Sequence, residues 1–249
     1  MPADFLSQAA VLAAFIERYI LSLFYLAYAA ALMVLLRQDW LLHLHSDLRS
    51  NDSLFVNQTY TWIVSQGLLI MLLFFMGLVL LLGRRAVVTP RNLAELVVPM
   101  AAAFYYVLYD QYSVVPQFLQ DDLAPANWQP ALTATGLVLG AIGGVISVWG
   151  LFCLGRCFGI FVGVRGIVLR GPYHYLRHPM YFGYILGFIG MTLAWPCWFY
   201  LILVPIHIGL FAWRAHLEEA RLAEFSPEYR ENMKRTGFLF PKFRRMKAA

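Results

Sequence analysis

The sequence is short of charge. Only 13% of its 249 residues are Asp, Glu, Lys or Arg, whereas 61% are hydrophobic and the mean hydropathy is +0.64. A soluble domain of this length needs more surface charge, so the composition indicates that the surplus apolar residues face lipid. The 19 basic residues outnumber the 14 acidic ones, but they lie in loops and the tail, where membrane topology signals are expected. We therefore predict an integral membrane protein that does not bind nucleic acid.

Cysteine is also scarce. Cys153, Cys157 and Cys197 lie in or beside apolar segments, and an odd number so placed argues against a disulfide framework. They complete no metal-ligand spacing. His43 and His45 form a His-x-His pair, but with no third ligand nearby we interpret them as interfacial and expect no metal.

Four apolar runs are each about long enough to cross a membrane. A hydrocarbon core about 30 Å thick needs about 20 helical residues at 1.5 Å per residue. The expected spans are residues 19–36, 59–82, 93–109 and 131–154. The segment before the first span lacks a basic region followed by a small-residue cleavage site, so we expect no cleaved signal peptide.

The third span contains several local features. Glu95 follows Arg91 by four residues, a spacing that predicts a local ion pair on one helix face. Pro99 lacks a backbone donor and is expected to kink the helix. The far end is rich in aromatic residues and is interpreted as an interfacial belt made of Phe104, Tyr105, Tyr106 and Tyr109.

Loop charges predict the orientation of the chain. The loop from Asp110 to Pro130 contains three aspartates and no Lys or Arg, so it is expected outside. The loop that ends the second span is basic, and the linker from Arg156 to Arg177 holds four arginines and no acid. Both are expected in the cytoplasm, together with the N-terminus.

The fourth span carries Gly136, Gly140 and Gly144 at four-residue intervals. This spacing predicts a stripe where another helix approaches closely. The next apolar segment, residues 181–213, is too long for one crossing and too short for two full crossings with a turn. Pro196 and Pro205 interrupt it, so we predict a broken or re-entrant helical hairpin beside a protein-covered cavity.

Ionisable residues lie along the returning arm and beyond it. His207 is intramembrane, which favours either a functional role or a hydrogen bond to a carbonyl freed by a nearby proline. A polar helix, residues 214–224, follows with Arg214, Glu218 and Glu219. The hairpin is expected to bring these residues back towards Arg177 and His178. Such a cluster suits a charge-bearing cofactor, although a solvated helix face is the alternative.

The stretch at the start of the hairpin carries a recognisable pattern. It reads Gly171-Pro172-Tyr173, then Arg177-His178-Pro179, then Tyr181 and Gly183, after Leu154-Gly155-Arg156. With Arg214, the Glu218-Glu219 pair and an ending that includes Glu228-Tyr229-Arg230, Arg235-Thr236-Gly237 and Pro241, it resembles the isoprenylcysteine carboxyl methyltransferase superfamily. The resemblance covers about residues 150–243 and leaves the first 130 residues as membrane helices alone.

The resemblance implies S-adenosylmethionine as cofactor and a lipid or apolar methyl acceptor. The expected cofactor-binding residues are Tyr173, Arg177, His178, Pro179, Tyr181 and Glu219. The expected catalytic residues are Arg214, which would orient an anionic acceptor, Glu218 and Glu219, with the choice between the two glutamates left open. Residues 1–130 would then form an N-terminal transmembrane region and residues 131–249 the catalytic region.

Three functions are compatible with this pattern. The first is a membrane methyltransferase acting on a carboxylate, thiol or amine that is reached from the bilayer. The second is an NADPH-dependent membrane reductase of related architecture, and the third is a non-catalytic membrane component that retains the fold. The expected fold is all-α and polytopic, with four spans, the hairpin and a cytoplasmic C-terminal helix.

Overall fold

The computed structural model describes residues 3–47, 53–105 and 114–242, and these ranges are helical with only isolated β-bridges. A π-helical stretch, Ile16–Leu21, joins the first two helices. The helices of the described ranges are α1 (Ala3–Phe15), α2 (Ser22–Asp47), α3 (Ser53–Leu82), α4 (Ala94–Phe104), α5 (Gln117–Gln120), α6 (Gln129–Leu154), α7 (Pro179–Ala194), α8 (Trp198–Phe225) and α9 (Pro227–Arg235).

Three helical segments of the described chain are long and apolar enough to cross a membrane: Val11–Gln38, Gln129–Cys157 and Trp198–Phe225. Shorter apolar helices cover Gln66–Leu82, Ala94–Phe104 and Pro179–Ala194. The all-α membrane fold is therefore confirmed, whereas the count of four spans stays a prediction.

The third expected span contains the helix α4, which ends at Phe104, and residues 106–113, including Tyr106 and Tyr109, lie outside the described residues. Pro99 is inside α4 and does not end it. The predicted position in an interfacial belt is wrong for Phe104 and Tyr105. Phe104 packs against the core cluster, and Tyr105 is buried and donates a hydrogen bond to the Leu203 carbonyl at 2.6 Å. The reason is that α4 packs against α8 and turns these rings into the bundle.

The predicted ion pair between Arg91 and Glu95 is also wrong. Glu95 accepts a hydrogen bond from the Arg91 backbone N–H at 2.8 Å, but its ion-pair partner is Arg221 on α8, at 2.5 Å. The Arg91 guanidinium instead pairs with Glu224 at 2.9 Å. Packing of α4 on α8 brings longer-range partners within reach, and a buried carboxylate is stabilised by the buried arginine.

The helical hairpin consists of α7 and α8, which are joined by a short turn at Trp195, Pro196 and Cys197. The expected break at Pro205 is wrong, because α8 runs unbroken from Trp198 to Phe225. Inside a bundle, neighbouring groups and local adjustments compensate for the lost backbone donor. Consequently the polar residues 214–224 are the last turns of this same helix and not a separate one.

Close packing of α6 on α7 is the most extensive helix contact in the described structure. The predicted glycine stripe is correct at Gly136, where a Cβ would meet α7, and at Gly144, where it would meet Leu68 of α3, whereas a Cβ at Gly140 would meet nothing within 4 Å. The close contact between α6 and α7 is here called the seam. It is formed by Gly136 and Gly143, which face Gly190 and Gly183 of α7. A spacing of seven residues keeps one side of a helix towards its neighbour, as in other helix pairs with small crossing angles.

Candidate functional site

The motif loop, residues 155–178 between α6 and α7, contains a turn that requires glycine. Gly171 has φ +63°, and a Cβ there would lie 2.5 Å from the Cys153 Sγ of α6. A side chain would therefore be strained and would collide with the helix. Pro172 follows at the start of a 3-10 turn and places Tyr173 in the interior. Burial raises the pKa of Tyr173 well above its ordinary value, so its phenol stays neutral.

Arg177 ties the motif loop to α8 and to the C-terminal segment. Its guanidinium forms a buried ion pair with Glu219 and donates to the carbonyls of Met233 at 3.0 Å and Thr236 at 2.6 Å. Its backbone N–H also donates to the Gly237 carbonyl at 3.0 Å. These contacts hold the motif loop against α8 and against the C-terminal segment, although the partners are distant in sequence.

His178 occupies the N-cap of α7 and is 6% exposed. Its ring stacks on Tyr181 with centroids 5.2 Å apart and an interplanar angle of 5°. Its Nε2 lies 3.3 Å from Glu219 but makes no hydrogen bond of acceptable geometry within the described structure. Pro179 follows at the first helical position, where a missing N–H costs nothing. A buried ring nitrogen without a partner is suited to binding a ligand.

Tyr181, Glu218 and Arg214 form a second connected group. The Tyr181 hydroxyl donates to Glu218 at 2.5 Å, and the Arg214 Nε donates to the same carboxylate oxygen at 3.1 Å. The Arg214 guanidinium lies over the Tyr181 ring at 5.2 Å and also donates to the carbonyls of Gly159 and Ile160. Arg214 therefore fixes the glutamate, the tyrosine and the motif loop at once.

These residues surround a cavity of about 100 Å³, here called the motif cavity. Of the predicted site residues, the ones in its wall are Tyr173, Arg177, His178, Tyr181 and Glu218. Pro179, Arg214 and Glu219 lie behind that wall. The structure thus brings all eight residues together and assigns different positions to the two glutamates: Glu218 faces the motif cavity, and Glu219 holds Arg177.

The sequence analysis missed two contributors to the site. Glu17, from the start of the chain, accepts hydrogen bonds from the backbone N–H groups of Ile160 and Phe161 and pairs with Arg165. A lone acid beside an apolar run was an available signal, but nothing in the spacing identified its partner. Tyr229 of α9 is buried in the motif cavity wall, and burial raises the pKa of its phenol above the ordinary value.

A second cavity of about 120 Å³, here called the bilayer cavity, adjoins the first. Phe158 and Tyr181 belong to both walls. The bilayer cavity is lined almost entirely by apolar side chains of the helices, with Arg214 at its boundary. A cavity with charged side chains in its wall and a more apolar cavity therefore share Phe158 and Tyr181.

The part of the chain that builds this arrangement can be compared with known families. Residues 131–226, which include α6, the motif loop, α7 and α8, match the family described as phospholipid methyltransferase. This region is similar to the phospholipid methyltransferase family. The match confirms the resemblance to the membrane methyltransferases that the Arg-His-Pro motif indicated, and a search of curated proteins found no match.

The match supports a membrane methyltransferase of the phospholipid or isoprenylcysteine kind. Within the described residues, no three His, Cys, Asp or Glu side chains form a group that could hold a metal ion. His43 and His45 belong to α2, but their side chains lie outside the described part of the structure.

Proposed function

We propose that the protein transfers a methyl group from S-adenosylmethionine to an apolar or lipid-borne acceptor, a carboxylate, thiol or amine, that enters from the bilayer. The observation that carries this proposal is the meeting of the motif cavity and the bilayer cavity at Tyr181. A charged cofactor suits the first cavity and an apolar acceptor suits the second, so the two would meet at their shared wall.

The residues of the motif cavity fit a cofactor that carries an amino group, a carboxylate and a sulfonium. Within the described residues, the buried Nε2 of His178, which lies 3.3 Å from Glu219, and the buried hydroxyl of Tyr229 make no hydrogen bond of acceptable geometry. Glu218 supplies an acceptor for a positively charged group, while Arg177 and Tyr173 line the same wall. Unpaired buried polar atoms cost stability, and a bound cofactor would satisfy them.

S-adenosylmethionine would supply an electrophilic methyl group on a sulfonium. Transfer to an anionic acceptor brings opposite charges together, and water that stabilises the separated charges slows such a step. Phe158 and Tyr181 line both cavities, so an acceptor in the bilayer cavity would approach a cofactor in the motif cavity beside these aromatic rings. The protein's contribution is orientation and exclusion of water, with no covalent intermediate on the chain.

Arg214 and Glu219 support this arrangement in different ways. Arg214 borders the bilayer cavity while holding Glu218, so it is placed to orient an anionic acceptor near the shared wall. Glu219 acts through Arg177 and through its proximity to His178. Arginine-rich loops predict that this end of the bundle, with the N-terminus, faces the cytoplasm, which supplies the cofactor.

The test is ligand-dependent thermal stability of the purified full chain in detergent. S-adenosylmethionine and S-adenosylhomocysteine should each raise the thermal midpoint, because a ligand at about 100 times its dissociation constant adds about 2.7 kcal/mol to the folded state. His178→Ala should abolish the shift, whereas His174→Ala, which alters an exposed histidine four residues away, should retain it. A shift with NADPH alone would make the protein a reductase, and no shift with any of them would favour a non-catalytic role.

A further inference from the structure

The bilayer cavity contains two polar groups without partners. His207 of α8 is 1% exposed, and neither ring nitrogen has a hydrogen bond within the described residues. Tyr25 of α2 is also 1% exposed, and its hydroxyl lacks a partner there too. Both residues line the bilayer cavity. Neither the motif nor the proposed methyl transfer uses them.

Among the described residues, the neighbours of His207 are mainly aromatic rings. Its ring packs against Phe188 with centroids 3.8 Å apart and against Phe211 at 4.6 Å. Tyr105 lies 5.2 Å away, and its hydroxyl donates to the Leu203 carbonyl. The alternative from the sequence, a hydrogen bond from His207 to a freed carbonyl, is therefore wrong.

Unpaired polar groups at this depth are costly. An apolar side chain at either position would avoid the desolvation penalty of a buried hydroxyl or imidazole. The cavity, at about 120 Å³, is larger than the space that one water needs. The rest of its lining is mainly aliphatic and aromatic, which suits an apolar chain with one polar group.

We infer that the bilayer cavity binds an apolar molecule that carries a neutral oxygen function, a hydroxyl or a carbonyl, and that Tyr25 or His207 hydrogen-bonds such an oxygen. A hydroxyl and a neutral imidazole can donate to such an oxygen and can accept from a hydroxyl. Arg214, the cation in the same wall, disfavours a positively charged group. That this bound apolar molecule is the methyl acceptor rests on the proposed function.

The fold also sets the position of the oxygen on the chain. His207 precedes Arg214 by seven residues on the continuous helix α8, a distance of about 10 Å along the axis at 1.5 Å per residue. An oxygen held by His207 would thus lie about 10 Å along the helix axis from a group held by Arg214. An acceptor with an oxygen inside its chain would be selected over a plain hydrocarbon chain of equal length.

The experiment compares matched nine-carbon probes, nonane, nonan-2-one and nonan-5-one, by their concentration-dependent effect on the thermal midpoint of the full chain. Whichever of the two ketones binds the wild type more tightly should bind at least tenfold more tightly than nonane does. The reason is that nonane leaves Tyr25 and His207 without a hydrogen bond. The double variant Tyr25→Phe with His207→Phe keeps an aromatic ring at both positions. Its affinities for nonane and for that ketone should agree within about twofold.

Two measurements on the same samples keep the result interpretable. The double variant should bind S-adenosylhomocysteine as the wild type does, and without ligand it should be at least as stable. Equal binding of nonane and the ketones by the wild type, survival of the preference in the variant, or no binding of any probe would overturn the inference. A ketone preference in a protein that binds no adenosyl ligand would reject the proposed function and leave this site standing.

Discussion

Arg177 and Glu219 form a buried ion pair although 42 positions separate them in the sequence. Their side chains are only 10% and 8% exposed. The pair joins the motif loop to α8, and Arg177 continues the connection to the C-terminal segment. It is the contact that converts two distant motifs into one cavity wall.

Breaking this pair should destabilise the protein strongly. Glu219→Ala leaves the Arg177 guanidinium buried without its counter-ion, and we expect a loss of about 3–5 kcal/mol in the free energy of unfolding. Denaturant unfolding in detergent measures it. Glu231→Ala removes an exposed ion pair with Lys234 and should have a much smaller effect. Equal effects of the two substitutions would contradict the assignment, and methylation by any folded Glu219→Ala protein should fall at least tenfold.

The hydroxyl of Tyr181 should matter for activity more than its ring. Tyr181→Phe keeps the stack on His178 but removes the hydrogen bond to Glu218. A hydrogen bond to a charged group contributes about 1.5–3 kcal/mol, so we expect methylation to fall roughly tenfold or more as the carboxylate loses its fixed position. Tyr175→Phe changes a tyrosine that is 68% exposed and serves as the control. Equal rates for both variants would show that Glu218 needs no such support.

The seam between α6 and α7 provides a matched glycine pair. Gly183→Ala should unfold the protein at a clearly lower temperature, because the new Cβ would overlap the Ser147 hydroxyl and the Gly143 carbonyl. Gly140→Ala adds the same methyl where nothing lies within 4 Å. It should be neutral or stabilise by up to about 1 kcal/mol, since Ala is the better helix former. The measurement is the thermal midpoint of each variant. A lower midpoint for Gly140→Ala than for Gly183→Ala would contradict this assignment of the seam.

Tyr229 should make the fold sensitive to alkaline conditions. Burial raises the pKa of its phenol above the ordinary value of 10.0, so the neutral form is favoured in the folded state. The contribution of this phenol to the free energy of unfolding is fully present below pH 10. It is lost as the pH rises above 10, by up to about 1.4 kcal/mol per pH unit. Tyr229→Phe should flatten this part of the curve of unfolding free energy against pH. An unchanged slope above pH 10 would show that the phenol is not protected.

Several features were predictable because they depend on local chemistry. The low charge and the long apolar runs predicted an all-α membrane protein, which the structure confirms. Gly171 and Pro172 suit the turn that the structure forms there, since only certain residues adopt its backbone conformation. The ordered motif from Gly171 to Tyr181 predicted the methyltransferase superfamily, and the match of residues 131–226 confirms it.

Other features were missed because they depend on which helices become neighbours. The predicted partner of Glu95 was Arg91, four residues away, but α8 supplies Arg221 instead. The glycine stripe was assigned to a four-residue spacing, whereas the seam uses Gly136 and Gly143. Periodicity shows that a helix has a close-packing face, but the direction of that face is set by its neighbours.

The sequence by itself determined that this chain resides in a membrane, that its C-terminal region carries a methyltransferase motif and which residues compose that motif. These properties follow from composition, backbone preference and residue order. Tertiary structure alone decided that Glu218 faces the motif cavity while Glu219 holds Arg177, and that Tyr25 and His207 share the bilayer cavity. Adjacent glutamates differ by about 100° around a helix, so only the packing of α8 against the motif loop assigns each its role.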